Sequence, residues 1–205
     1  MKDNEAIKEL HDIRSMMERS SRFQTISGWG LVIVGALALI AAWVAYTIFS
    51  ESTTLFGDTH LLWSHKTQVA VYGSIILVCI SGLTVFASSM LMAKRKNMPF
   101  SFDHTMRRAV FNFCVPLVTG GLLCLALIFQ QHYGLTSSIM LIFYGLALIN
   151  CHHHSHPLLG ILGYLELILG LFDCFVATHA LLFWAVGFGL LHIVFGLYIT
   201  VKVNK

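Results

Sequence analysis

The sequence predicts an all-α membrane protein: a bundle of six transmembrane helices preceded by a short cytoplasmic amphipathic helix. Three observations carry that prediction. Of 205 residues, 57% are hydrophobic and 11% charged, with a mean hydropathy of +0.76 that lies beyond the range of a water-soluble domain. The charges are segregated, since between Ala109 and Val201 the formally charged side chains are Glu166 and Asp173 alone, while ten of the thirteen Lys and Arg fall in 1–22 and 94–108. The apolar runs are each close to the roughly 20 helical residues that cross about 30 Å of hydrocarbon, and they lack the period-two alternation of a membrane barrel.

The first element is the segment 1–24. In "NEAIKELHDIRSMMERSSRF" the residues Ile7, Leu10, Ile13 and Met17 recur at steps of three and four with charged residues between them, which predicts an amphipathic helix. Five acids balance five bases within 1–22, so the helix is no strongly basic lipid binder. It packs on its own bundle or captures a cytoplasmic protein partner. The length of polar sequence before the first apolar run argues against a cleaved signal peptide.

The transmembrane domain then occupies 25–201, with spans at about 26–49, 67–92, 109–130, 135–151, 158–177 and 180–201, and a tail at 202–205. The segment before the first span and "AKRKNMPFSFDHTMRR" each hold five basic residues, and Lys202 and Lys205 close the chain. These basic segments fall on one side of the membrane, which places both termini in the cytoplasm. The opposite side receives "SESTTLFGDTHLLWSHK" and two short turns. Trp29, Trp43, Trp63 and Trp184 suit the membrane boundaries. A weak internal repeat relates hairpins 109–151 and 157–201: "PLVTGGLLCLALIF" matches "PLLGILGYLELILG", and Gly145, Leu148 and Asn150 fall opposite Gly187, Leu190 and His192. The five cysteines lie in or at the ends of spans and read as small buried hydrophobes.

The residues that point to chemistry are few. Glu166 lies nine positions past Pro157, about 13 Å into the membrane, and His192 lies at similar depth ten positions before Lys202. Each has glycines three before and four after it, Gly163 and Gly170 around Glu166, Gly189 and Gly196 around His192, so each sits in a stripe where another helix can approach closely. An acid facing lipid costs about 2.5 to 3.5 kcal/mol or more, so Glu166 is expected to point inward with His192 as its partner. The two can then share one proton, or simply form an interhelical hydrogen bond that fixes packing.

The turn "CHHHSHP" raises the question of a metal, because His152, His153, His154 and His156 offer four imidazoles, with Cys151 or His104 as further ligands. Consecutive helical positions point in different directions, which works against a shared ion. A second candidate cluster gathers the outer-turn histidines His60, His65, His132 and His179 with Asp58 and Asp173. Haem held by two buried histidines needs a second one at the depth of His192, which leaves histidines at one membrane edge as its alternative site. Phosphate loops, nucleophile motifs, H-E-x-x-H and nucleic-acid signatures do not occur in the sequence.

The stretches "IRSMMERSSRFQTISG", "VPLVTGGLLCLALIF", "LIFYGLALIN", "LGYLELILGLF" and "LLFWAVGFGLLHIVFGLYI" together resemble a set of uncharacterised six-helix integral membrane proteins of Bacteroidetes-type bacteria, over almost the whole length. The resemblance implies a bacterial inner-membrane protein, some of whose relatives are encoded near winged-helix transcription regulators, and it implies no activity. It also implies that the histidine run is a local variation, whereas Glu166 and His192 belong to a shared pattern.

The leading functional expectation is a non-enzymatic regulatory or interaction protein that passes a membrane signal through residues 1–22 to a cytoplasmic partner; a homo-oligomer is left open, and nucleic acid is not expected as a partner. The rival is a small proton-linked carrier or channel using Glu166 and His192, and the third reading is a membrane metal or haem protein. Interrupted spans favour the carrier, and no Gly-Pro break is visible in the sequence.

Overall fold

The computed structural model describes residues 27–50, 65–95, 104–130, 132–152, 157–176 and 179–203. The amphipathic helix expected within 1–24 lies outside them. The described chain is helical, in the order α1 (Gly28–Ser50), α2 (His65–Arg95), α3 (His104–Phe129), a 3-10 turn (Tyr133–Leu135), α4 (Thr136–His152), α5 (Pro157–Phe175), α6 (Ala180–Trp184), a wide π turn (Ala185–Leu191) and α7 (His192–Val203). Six stretches of 19 to 29 residues, with mean hydropathies of 1.7 to 2.4, are long and apolar enough to cross a membrane; the sixth runs continuously from Ala180 through the π turn to Lys202. This is an all-α, multi-pass membrane bundle.

Helices form because hydrocarbon offers no partner for a free backbone N–H or C=O. Hydroxyls follow the same rule. Thr84, Thr119 and Thr200 each donate to the carbonyl four residues earlier, at 2.8 Å. Pro157 opens α5, where its missing N–H is not needed. Pro116 lies inside α3 and leaves the Asn112 carbonyl without its usual intrahelical donor.

The packing divides the spans into two groups. In one, α4 lies between α3 and α5; in the other, α1 lies between α2 and the sixth span. Close contacts inside each group run through glycine. A Cβ on Gly145 of α4 would stand 2.6 Å from the Gly163 carbonyl oxygen of α5, and one on Gly163 would stand 2.8 Å from the Gly145 oxygen. Likewise a Cβ on Gly35 of α1 would stand 2.7 Å from the Gly189 oxygen, and one on Gly196 would stand 2.7 Å from the Gly28 oxygen. Backbones meet at those points, and nothing larger than hydrogen fits. The two groups touch each other more sparsely, where α4 and α5 face α6, the π turn and α7. Leu31, Leu148, Cys151, Leu159, Leu162 and Ile199 form the apolar core, while side chains such as Ile75, Ile76 and Leu83 of α2 point outward, as lipid-facing positions do.

Candidate functional site

Two acids on α5 are buried, Glu166 at the seam with the sixth span and Asp173 against α4. Glu166 and Asp173 are both 0% exposed. Seven residues apart, they lie two turns from each other on one helix face, about 10 Å along the axis.

Glu166 Oε1 lies 3.5 Å from Nδ1 of His192, which is 2% exposed. That is ion-pair range and beyond hydrogen-bond range. The imidazole is committed elsewhere. Nδ1 lies 3.1 Å from the Gly187 carbonyl oxygen and Nε2 lies 2.7 Å from the Tyr144 hydroxyl. One assignment satisfies both contacts: Nδ1–H donates to Gly187 and the Tyr144 hydroxyl donates to Nε2. Neither Glu166 oxygen then has a hydrogen-bond partner.

The π turn builds the socket for this carboxyl. A Cβ on Gly187 would come closest to Leu141 Cδ2, within 2.5 Å of Glu166 Oε2 and within 3.3 Å of Leu169 Cδ2, so a glycine at this position makes room for the acid and for Leu141 together. The wide turn also leaves the Gly187 carbonyl within reach of the His192 side chain five residues on. Tyr144 is held by rings on three sides. Its centroid lies 6.0 Å from Phe113 of α3, 5.0 Å from Phe188 of the π turn and 5.4 Å from His192, and Phe188 in turn lies 5.2 Å from Trp184.

At the other acid, Ser138 of α4 donates to Asp173 Oδ2 at 2.9 Å, while Asp173 Oδ1 has no partner. Ser138 is itself 0% exposed. Its neighbour Ser137 donates to the Ala180 carbonyl at 2.8 Å and ties the start of α4 to the start of α6.

The structure therefore brings Glu166 and His192 together, but the glycines beside them serve other contacts. Gly163 and Gly170 abut α4, the latter with a Cβ position 2.9 Å from the Ile142 nitrogen, and Gly189 and Gly196 abut α1. At 100° per residue each glycine lies roughly 40 to 60° round the helix from its polar neighbour, enough to face a different helix. The stripes lock α5 to α4 and the sixth span to α1, instead of locking α5 to the sixth span. The sixth span stays helical throughout, but its hydrogen-bonding pattern widens to π over Ala185–Leu191 without any Gly-Pro break.

Of the histidine run, His153, His154 and His156 lie outside the described residues. His152 is described: its Nδ1–H donates to the Ile149 carbonyl, and its ring packs on Gly160 of α5. Among the described residues no group of three or more His, Cys, Asp or Glu is placed to hold a metal ion. Asp173, grouped by topology with the outer-turn histidines, is buried against Ser138, whereas His132 and His179 are exposed. Sequence reasoning passed over Tyr144 and Ser138, met Gly187 only in the internal repeat, and grouped Asp173 with an outer cluster of which Asp58 and His60 lie outside the described residues. The seven-residue step from Glu166 was the available signal for Asp173, because it returns the chain to the same helix face. No protein-family model, curated protein or solved structure matches this chain.

Proposed function

We propose that the bundle is a small proton-linked carrier of the bacterial inner membrane, with both termini in the cytoplasm, in which Glu166 takes up and releases a proton beside His192. The observation that carries this reading is a carboxyl 0% exposed whose two oxygens have no hydrogen-bond partner. A pair kept for packing would be hydrogen-bonded, gaining about 0.6 to 2 kcal/mol in a membrane. Leaving a buried polar group unpaired instead costs about 1 to 3 kcal/mol. Glu166 weakens the packed state, and ionisable groups retained at such a cost belong to ion and substrate paths. A bare carboxylate in this surrounding needs a proton or a counter-cation, and His192 Nδ1 lies 3.5 Å away, close enough for exchange after a small shift.

The packing supports the same reading. Glycine contacts lock α4 to α5 and α1 to the sixth span backbone to backbone, while the seam that holds Glu166 is sparser than either joint and bordered by the π turn. That is the arrangement in which one rigid group rocks against another around a buried site. The regulatory reading rests on residues 1–22, which lie outside the described chain, and the site lends it no support.

Electrometry on solid-supported membranes tests the proposal. A pH jump over reconstituted protein is expected to give a charge-displacement transient absent from empty liposomes and absent from Glu166→Gln. A wild-type protein indistinguishable from empty liposomes, or a Glu166→Gln variant indistinguishable from wild type, overturns it.

A further inference from the structure

Asp173 has no part in the exchange between Glu166 and His192, yet it shares the feature that marks Glu166. It is 0% exposed, and its Oδ1 has no partner. It lies two residues before the end of α5, and its partner Ser138 lies two residues after the start of α4, so the pair sits near one end of the bundle while Glu166 sits near the middle of its span. Seven residues apart, the two acids lie on one side of α5. Between them along α5, Gly170 turns toward α4, while Leu169 reaches Gly187 of the sixth span. Leu141 of α4, 0% exposed, enters the same space, with its Cβ over Gly170 and its Cδ2 against Gly187 beside Glu166.

We infer that Asp173 is a second proton-exchanging acid, the station through which protons reach Glu166 from the end of the bundle where α4 begins, with Leu141 separating the two stations in the packed state. The inference rests on the reading of Glu166 given above. A proton suits this site better than a metal ion. A hard cation takes six or more oxygens, whereas the groups joined here are one carboxyl and one hydroxyl, and a proton needs a single oxygen. The elements packed against α5 carry Tyr144, Cys151 and His152 on α4 and His179, His192 and Lys202 on the sixth span. None of these is hydrogen-bonded to Asp173; its one such partner among the described residues is Ser138. The step balances with water alone: the proton leaves the Asp173 carboxyl oxygen, passes along water that enters when the seam parts to a Glu166 carboxylate oxygen about 10 Å away, and is replaced on Asp173 from water at the bundle end.

The test combines the charge-displacement transient with infrared difference spectra of the reconstituted protein after the same pH jump. Wild type is expected to show two responding carboxyl C=O bands; Asp173→Asn removes one and slows the transient at least about a hundredfold, and Asp173→Glu restores much of the rate. Ser138→Ala keeps the Asp173 band but moves its frequency, because a hydrogen bond to that carboxyl is gone. An Asp173→Asn protein with an unchanged transient overturns the relay alone and leaves the reading of Glu166 standing. A wild-type protein with no transient overturns both. Loss of folding in Asp173→Asn leaves the decision to Ser138→Ala: a carboxyl band whose frequency does not move shows that the acid near Ser138 does not respond, and the relay fails.

Discussion

Gly145→Ala measures how tightly the rigid groups are locked. The added Cβ would lie 2.6 Å from the Gly163 oxygen, 2.8 Å from the Leu167 nitrogen and 3.2 Å from the Leu167 Cα, where ordinary contact begins at 3.4 Å. The shortfalls are 3.4 − 2.6 = 0.8 Å and 3.4 − 2.8 = 0.6 Å, and all three atoms are backbone, so no rotamer change relieves them. The helices must part by about half an ångström or more, and a gap of that order forfeits about a quarter to a half of each lost dispersion contact. Overpacking of this kind costs about 1 to 3 kcal/mol. Alanine is also the better helix former by about 1 kcal/mol, a gain shared by any helical glycine. Gly73→Ala isolates the packing part, since nothing lies within 4 Å of a Cβ there. The two variants are expected to differ by about 2 kcal/mol, which for a chain of this size is about 4 to 8 °C in melting temperature. Thermal unfolding in one detergent, followed by size exclusion, reads the difference. A Gly145→Ala protein that melts with or above Gly73→Ala would refute the claim that α4 and α5 are locked backbone to backbone.

The other predictions concern the seam. Glu166→Met is expected to raise the melting temperature, because a buried polar group without a partner costs about 1 to 3 kcal/mol that an apolar side chain of similar size does not; a clear drop would mean that the carboxyl is a packing bond after all. Tyr144→Phe keeps the ring contacts but removes the donor at 2.7 Å from His192 Nε2, and unfolding should detect a loss of about 1 to 2 kcal/mol. Ser138→Ala should cost a similar amount, and much less in an Asp173→Leu background, a double-mutant cycle whose additivity would deny the bond between them. Gly187→Ala should destabilise the protein through clashes with Leu141 Cδ2 and Glu166 Oε2, with part of the loss recovered in a Glu166→Ala background; equal loss in both backgrounds would assign the clash to Leu141 alone.

The six spans were legible because lipid leaves a chain little choice: the lengths, the charge-free runs and the basic segments follow from solvation alone. Their ends were read less well. The third helix begins at His104, five residues before the apolar run, because a helix continues past the hydrocarbon once its backbone bonds are made. Glu166 and His192 stood out as rare ionisable residues in apolar sequence. Their glycines announced close approach but not to which helix, since a stripe 40 to 60° from the acid faces a different neighbour. Tyr144 gave no signal, because aromatic residues are frequent throughout these spans and only the fold brings its hydroxyl to an imidazole. Asp173 was read from its nearness to a turn, yet burial depends on what α4 lays against it. The π turn of the sixth span has no composition cue of its own in "AVGFGLL".

The division of labour between glycine and acid has a physical logic. Backbone contact through glycine is strongest at one separation, because a gap of about 0.5 to 1 Å already forfeits about a quarter to a half of each dispersion contact, so a helix pair joined that way resists parting. Such joints suit the interior of a rigid group. The seam is built differently: Tyr144, Phe188 and Trp184 meet there at ring distances of 5.0 to 5.2 Å, and Glu166 contributes no hydrogen bond that closure would have to keep. Parting the seam therefore costs ring contacts and the Tyr144–His192 bond, while it relieves a carboxyl that closure leaves unpaired. A proton, or a solute bearing hydrogen-bond donors, tips that balance toward closure by supplying what the oxygens lack. Placing the unpaired carboxyl of Glu166 at the seam between the two groups is what allows one small ligand to choose between the two arrangements.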